Sequence, residues 1–442
     1  MAMTSASTSS TPPGRLFTRS LAVLALLMIA VSPLALVSLG LNYEETGGSP
    51  LEKLHPATPL AAVLVLVAAV LSGNPVTWAL RQATASPSLL PYLGIIALLI
   101  LHSVRVVGLP FTHFFDTFIL PLFVYLLFKD PGEQRGRHLA WLIHLVMAAN
   151  AIIGIGEFAT GLRLTPIVAA GVVIEDDWRS SALLGHPLAN AALTGSYVLM
   201  LALGGGRDLP QWLRTLAFGL AAAAMIVFGG RAATVFLIAS LAAIAALDVA
   251  SILRGRTFST LSVVKGMIAV PVVGLVVVVL AEQGYFDQFI ERFFDDKGSA
   301  ETRSDMFELL RHVPLSELLL APDAKQVTTW QHIYGLEFGI ESFWLSYILT
   351  YGLIPSLVFF AALAFFSRDV LARLVERSGW AFLFFYAVAS TSVSLSAKSP
   401  LLAVFTLMAL ILMRRTVENQ PATDDRYAAV PRHRAGRRPA FR

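Results

Sequence analysis

Apolar residues in this chain come in unbroken blocks, and each block is long enough to cross a lipid bilayer. A helix needs ~20 mostly apolar residues, at about 1.5 Å per residue, to span a hydrocarbon core of ~30 Å. Blocks of that kind fall near 20–41, 57–73, 89–109, 111–128, 139–160 and 182–203, then near 211–229, 231–250, 262–282, 341–366, 379–396 and 398–414. Of the 442 residues 56% are hydrophobic and 14% charged, with a mean hydropathy of +0.69, whereas a soluble domain carries about 25% charged residues. The sequence predicts an all-α polytopic membrane protein with about twelve transmembrane helices. Nucleic-acid binders, soluble dehydrogenases and secreted disulfide scaffolds are excluded as classes. With no cysteine in the chain, thiolate metal sites, iron–sulfur clusters and disulfides are impossible.

Basic residues orient the spans, because short cytoplasmic loops retain Lys and Arg. The first block follows Arg15 and Arg19 and has no small-residue cleavage site after it, so it reads as an uncleaved first helix. With the N-terminus inside, 22 of the 33 Lys and Arg residues fall on the inner side, and five of the remaining 11 lie in one long outer loop. The expected organisation is a cytoplasmic tail (1–19), spans one to nine (20–282), a large periplasmic loop (283–340), spans ten to twelve (341–414) and a basic cytoplasmic tail (415–442). The long loop has helical spacing, with apolar Phe294, Met306, Leu309 and Leu310. A smaller outer loop, 161–181, carries the acidic run Glu175, Asp176, Asp177. Residues 1–14 and 418–442 have the composition of disordered tails, and the basic one suits anionic inner-leaflet lipid.

In this topology several polar residues collect on the outer face. A charge at the centre of a span costs roughly 2.5–3.5 kcal/mol on insertion scales, so such residues tend to face a cavity or a partner. Arg179 opens RSSALLGHPLANAALTG, with His186 and Asn190 spaced i, i+4. Arg231 follows a Gly-Gly break in FGGRAATVF, Arg303 sits in TRSDMF of the long loop, and Glu341 with Ser342 opens GIESFWLSYILTYGLIP. Arg311 and His332 of the same loop are further candidates for substrate contact. Each has a plain reading too. A lone interfacial Arg snorkels to head groups, His186 and Asn190 satisfy nearby backbone, Glu341 complements a helix dipole, and loop histidines such as His312 are solvated. The Asp176–Asp177 and Asp295–Asp296 pairs lack a third placed ligand, so neither a metal nor another cofactor is expected. In combination, several guanidiniums on one face suit a lipid-linked diphosphate, since the fork meets phosphate oxygens bidentately and keeps its charge. A nearby Glu or His can take a proton from an incoming hydroxyl, and the Gly-Gly pair would let backbone approach a bulky substrate.

At these residues the sequence resembles the O-antigen ligase/polymerase superfamily, which includes Wzy-type polysaccharide polymerases. Four tracts carry the likeness: RSSALLGHPLAN, GGRAATVFLIASL, ETRSDMFELL and ESFWLSYILTYGLIP, in that order across about 179–360. The resemblance implies inverting, metal-independent glycosyl transfer outside the inner membrane of a bacterium, with the donor glycan on undecaprenyl diphosphate. By position, Arg179 and Arg231 would neutralise the departing diphosphate, Arg303 would assist from the loop, and Glu341 would be the base. The ligase branch has His at that point, so Glu341-Ser342 counts against a ligase more than against a transferase. The implied partners are the lipid-linked oligosaccharide, the growing polysaccharide chain and membrane lipid, with a chain-length regulator and a flippase of the same pathway beside them. Two rivals remain: a ligase transferring glycan to lipid A core or protein, and a lipid-linked oligosaccharide flippase or transporter, for which Glu157 near the outer end of span five is the best coupling acid.

Overall fold

The computed structural model describes residues 15–43, 48–107, 111–169, 172–174, 177–255, 278–279, 281–294, 299–320, 322–336 and 339–415. Its helices are α1 (Arg15–Ala30), α2 (Pro33–Ser38), α3 (Ala57–Leu71), α4 (Pro75–Ala85), α5 (Leu89–His102), α6 (Thr112–Phe114), α7 (Leu120–Phe128), α8 (Glu133–Thr160), α9 (Pro187–Ala202), α10 (Gln211–Phe228) and α11 (Arg231–Leu253). They continue with α12 (Asp287–Phe294), α13 (Ser299–His312), α14 (Leu315–Leu320), α15 (Ala324–Ile333), α16 (Phe343–Tyr351), α17 (Leu353–Leu371), α18 (Gly379–Ala389) and α19 (Leu401–Leu412). Single π-helical turns extend α5 over Ser103–Val107 and join α6 to α7 over Phe115–Ile119. A two-stranded antiparallel hairpin pairs Val168 with Val173 and Ala169 with Val172.

Among the described residues four helices, α8, α10, α11 and α17, are long and apolar enough to cross a membrane, and α3 with α4 makes a fifth if that pair, bent by 109°, is one span. Helices occupy every expected block except 262–282, most of which lies outside the described residues, as do the two tails 1–14 and 416–442. Several blocks hold shorter helices than their apolar length predicts, and the causes are local. Ser32 caps a new helix whose first residue is Pro33, which splits the first block after Ala30. Asn74 and Pro75 do the same after α3. Gly352, at φ 91° and ψ 160°, divides α16 from α17. After Ala389 the chain runs STSVSLSAK, where hydroxyls bond nearby backbone carbonyls and compete with helix.

Two helices form the centre of the bundle. Every residue of α19 is buried, as is α9 from Asn190 to Leu201, which matches their apolar character all the way round. The outer helices instead present leucine, valine and isoleucine outward, for example Leu66 and Val70 of α3 and Val235 and Ile238 of α11. Such an apolar exterior suits hydrocarbon, and helices satisfy their own backbone there.

Side-chain pairs close the two ends of the bundle. At one end Ser88 donates to Asp369 (2.6 Å), Arg373 pairs with Asp130 (3.5 Å), Arg377 with Asp248 (2.5 Å) and Arg414 with Asp208 (2.7 Å). These bonds tie the start of α5, the end of α7, the start of α8 and the ends of α11, α17 and α19 into one basic face. The opposite end holds the breaks after α1 and α18, the loop before α3, the segment before α9 and the α10–α11 corner. There Asp116 accepts from Tyr43 (2.8 Å), the His55 amide (3.0 Å) and Thr58 (2.5 Å), while Lys398 donates to the Lys53 carbonyl (3.0 Å).

The long loop builds a small core of its own. Met306, Leu309, Val313, Val327, Leu336 and Ile340 pack together, and Leu345 and Leu349 of α16 complete the cluster. This core is anchored at Gly352, where an added Cβ would lie 2.6 Å from the Leu320 carbonyl oxygen. Gly352→Ala therefore meets both a glycine-only conformation and a backbone collision. We expect it to cost at least about 2 kcal/mol, read as a lower Tm and as faster protease cleavage within 299–336; unchanged cleavage would show that the loop docks elsewhere.

Candidate functional site

The segment 180–186, which enters α9, is pinned to the bundle. Glu157, near the end of α8, accepts backbone N–H bonds from Leu164 (2.7 Å), Ser181 (2.9 Å) and Ala182 (2.9 Å). Ser180 donates its hydroxyl to the Gly154 carbonyl (2.6 Å) and its amide to the Val227 carbonyl (3.0 Å). Asn150 accepts from the Leu183 amide (3.0 Å) and donates to Asn190 (2.8 Å), whose own carboxamide donates to the Ser181 and His186 carbonyls. Held in this way, Ala182 stays at φ 41°, a conformation that L residues rarely adopt.

This pinned segment delivers Arg179 to the α10–α11 corner. Gly229 ends α10 in the left-handed conformation (φ 61°), and a Cβ there would lie 2.7 Å from Arg179 Cγ and 3.0 Å from Trp178 Cη2. A Cβ on Gly230 would lie 2.4 Å from Ala191 Cβ of α9. Arg231 comes next, with its amide on the Gly229 carbonyl (3.1 Å), and starts α11. Arg179 and Arg231, 52 positions apart in sequence, thus share one corner. The Gly-Gly break serves close approach, as its composition suggests, but what approaches is the protein's own Trp178, Arg179 and Ala191.

A cleft of about 340 Å³ opens beside this corner, lined by Glu157, Phe158, Gly161, Arg163, Asp177, Trp178, Arg179, Ser180 and Gln288. Its walls combine guanidiniums with aromatic rings, Phe158 lying edge-on to Trp178 (6.1 Å) and to Tyr285 (5.6 Å). Gln288 comes from α12, so the long loop contributes to the cleft. Arg179 is forked onto Asp177, with Nε 2.9 Å from both carboxylate oxygens. A second cavity, about 180 Å³, lies between the α1–α2 break, the start of α9 and the loop before α19. Its floor is apolar (Met28, Leu193, Val404) and its rim polar (His186, Ser392, Ser394, Lys398).

The remaining candidates are distributed as follows. His186 is the N-cap of α9 and precedes the helix, so it does not share a helix face with Asn190; its Nδ1 accepts from the Leu188 amide (3.2 Å). Asn190 is fully buried with its carboxamide engaged by protein. Glu341 is half-buried in the turn before α16, where Ser342 caps the helix. Two residues earlier, a Cβ on Gly339 would lie 3.2 Å from Val393, which lines the second cavity. Arg311 and His332 stand apart on the loop helices: Arg311 pairs with Glu308 (2.6 Å), and His332 is exposed. The Arg303 side chain and the acidic residues Glu175, Asp176, Asp295 and Asp296 lie outside the described residues. Among the described residues no group of three His, Asp or Glu side chains is placed to hold a metal ion.

Sequence reasoning missed Arg163, Asp177 as the partner of Arg179, and Lys398. The signals were a basic residue two positions past the glycine that ends α8, and an Asp two residues before an Arg, where an Asx turn forms through the Arg179 amide (3.0 Å). Glu157 is engaged by three amides and carries the loop. Comparison with protein-family models, curated proteins and solved structures finds no match to this chain.

Glu157→Ala would leave three amides without their acceptor. A loss of at least about 2 kcal/mol is expected, with faster hydrogen exchange confined to 161–186; exchange unchanged there would refute the pinning role.

Proposed function

We propose that this protein polymerises oligosaccharide repeat units carried on undecaprenyl diphosphate, on the periplasmic face of a bacterial inner membrane, by inverting and metal-independent glycosyl transfer. The twelve apolar blocks are its spans, both termini are cytoplasmic, and the basic face of the bundle lies against the cytoplasm as charge retention requires. The observation that carries this proposal is the α10–α11 corner. Arg179 packs there against Gly229, two residues before Arg231, so two arginines from distant stretches of chain adjoin one corner, beside a cleft lined by Arg163 and Arg179, at the end of the bundle away from the basic face.

The chemistry follows from the charges. A hydroxyl of the acceptor sugar attacks the anomeric carbon of the donor, the bond from that carbon to the diphosphate oxygen breaks, and the diphosphate departs with its electron pair. The hydroxyl proton passes to Glu341, the base in this scheme. Negative charge grows on the diphosphate as the bond lengthens, and fixed guanidiniums in a partly dry site stabilise that change more than they stabilise the ground state. Trp178 and Phe158 give the cleft rings on which a sugar can stack.

Arg231→Ala is expected to reduce polymer about 100-fold or more, at normal protein level, while single lipid-linked repeat units remain outside. Long chains persisting in that variant would exclude the role given to Arg231. Full-length lipid-linked chains that fail to reach their acceptor would indicate a ligase, and units trapped on the cytoplasmic face a flippase. Glu341→Gln is expected to depress activity more than Asp295→Asn, measured as chain length on a gel; the reverse ranking would shift the base to the loop acids.

A further inference from the structure

Arg179 already holds an anion. Its Nε lies 2.9 Å from both carboxylate oxygens of Asp177, its Nη2 donates to Oδ2, and its amide donates to Oδ1 at 3.0 Å. The side chains are 15% and 9% exposed, so the pair sits in the wall of the cleft and is little screened by solvent. A guanidinium fork presents the same paired donors to a carboxylate and to a phosphate. Asp177 thus fills, from within the chain, the position a phosphate would take at Arg179. Charge leads to the same point. Arg163 and Arg179 line the cleft together with Asp177 and Glu157, so a highly charged diphosphate gains little there unless a carboxylate gives way. Glu157 cannot, because its oxygens hold three amides.

Of the two members of the pair, the arginine is the fixed one. Its Cγ and Cδ would lie 2.7 and 2.8 Å from a Cβ on Gly229, so its stem is seated in the notch that glycine leaves.

We propose that Asp177 is an exchangeable internal anion, resting on the polymerase function above: it holds Arg179 in the empty site, yields the guanidinium to the lipid diphosphate, and reclaims it as the diphosphate product leaves. No covalent bond changes in this exchange. The benefit lies in turnover. The free diphosphate product carries more negative charge than the glycosyl ester it came from, so Arg179 and Arg231 grip product harder than substrate. A carboxylate two residues from Arg179 competes at high effective concentration and lowers that grip. Arg163, in the same cleft, offers the displaced carboxylate a second cation. Asp177 is a positioning residue that acts through Arg179.

The test uses the full chain in nanodiscs, with undecaprenyl diphosphate and inorganic pyrophosphate as probes in calorimetry. Asp177→Asn is expected to bind undecaprenyl diphosphate about tenfold more tightly than the native protein, with Asp177→Glu restoring native affinity. In turnover of a lipid-linked repeat unit, kcat and KM of Asp177→Asn fall together, because release becomes slow. A structural strut would behave differently, losing Tm and affinity together. Equal or weaker binding by a folded Asp177→Asn overturns the exchange. Should that variant not fold, infrared difference spectra of the native protein with 13C-labelled aspartate take its place: a carboxylate band that shifts on binding supports the exchange, and an unshifted band overturns it. Failure of the native protein and every variant to bind either diphosphate overturns the polymerase function itself, whereas binding indifferent to Asp177 overturns only the exchange.

Discussion

Glu157 accepts backbone N–H groups from both ends of the loop that runs from α8 to α9, at Leu164 and at Ser181 and Ala182. A buried carboxylate is costly unless its lone pairs are met, and amides meet them without introducing a counter-charge. The arrangement closes the loop against α8, holds Ala182 in its strained conformation and fixes the direction in which residues 177–180 leave the helix end. Ser180, Asn150 and Asn190 repeat the same tactic with neutral groups. Because this anchoring is spread over α8, α9 and α10, the position of Arg179 is set by the bundle and not by the loop that carries it.

The two ends of the molecule use charge differently. At the basic face Arg373, Arg377 and Arg414 close helix ends against acids from neighbouring elements, Asp130, Asp248 and Asp208. At the other end the buried acids, Asp116 and Glu157, are spent mainly on backbone amides and hydroxyls, and the cations gather beside clefts.

Much of the fold was legible in the sequence. An apolar run of sufficient length forms a helix in lipid whatever its neighbours, so the blocks located the elements well. The breaks were written there too, at Ser32-Pro33, Asn74-Pro75 and Gly352, but each competes with an apolar context that favours continuity, and only packing decides the outcome. The Gly352 turn is an example, since its conformation depends on Leu320 docking from the loop. The site was less legible. Arg179 and Arg231 stand out as charges beside apolar blocks, but the approach of Arg179 to the corner before Arg231 depends on Gly229 and Gly230 admitting a segment from fifty residues away. Arg163 gave no signal beyond its charge, and Asp177 was hidden in an acidic run. Asn190 was recognisable as a polar residue in an apolar block, but its role as a brace emerges only with Asn150 opposite.

The account depends on a diphosphate meeting the arginines of the α10–α11 corner, and photocrosslinking tests that contact most directly. The reconstituted protein would be irradiated with a polyprenyl diphosphate bearing a photoreactive group beside the phosphates, and the adducts mapped by mass spectrometry. Adducts within 157–190 and 226–235, suppressed by excess undecaprenyl diphosphate, are the predicted result. Adducts confined to the basic face around 203–214 and 373–415, or none that the natural lipid suppresses, would contradict it.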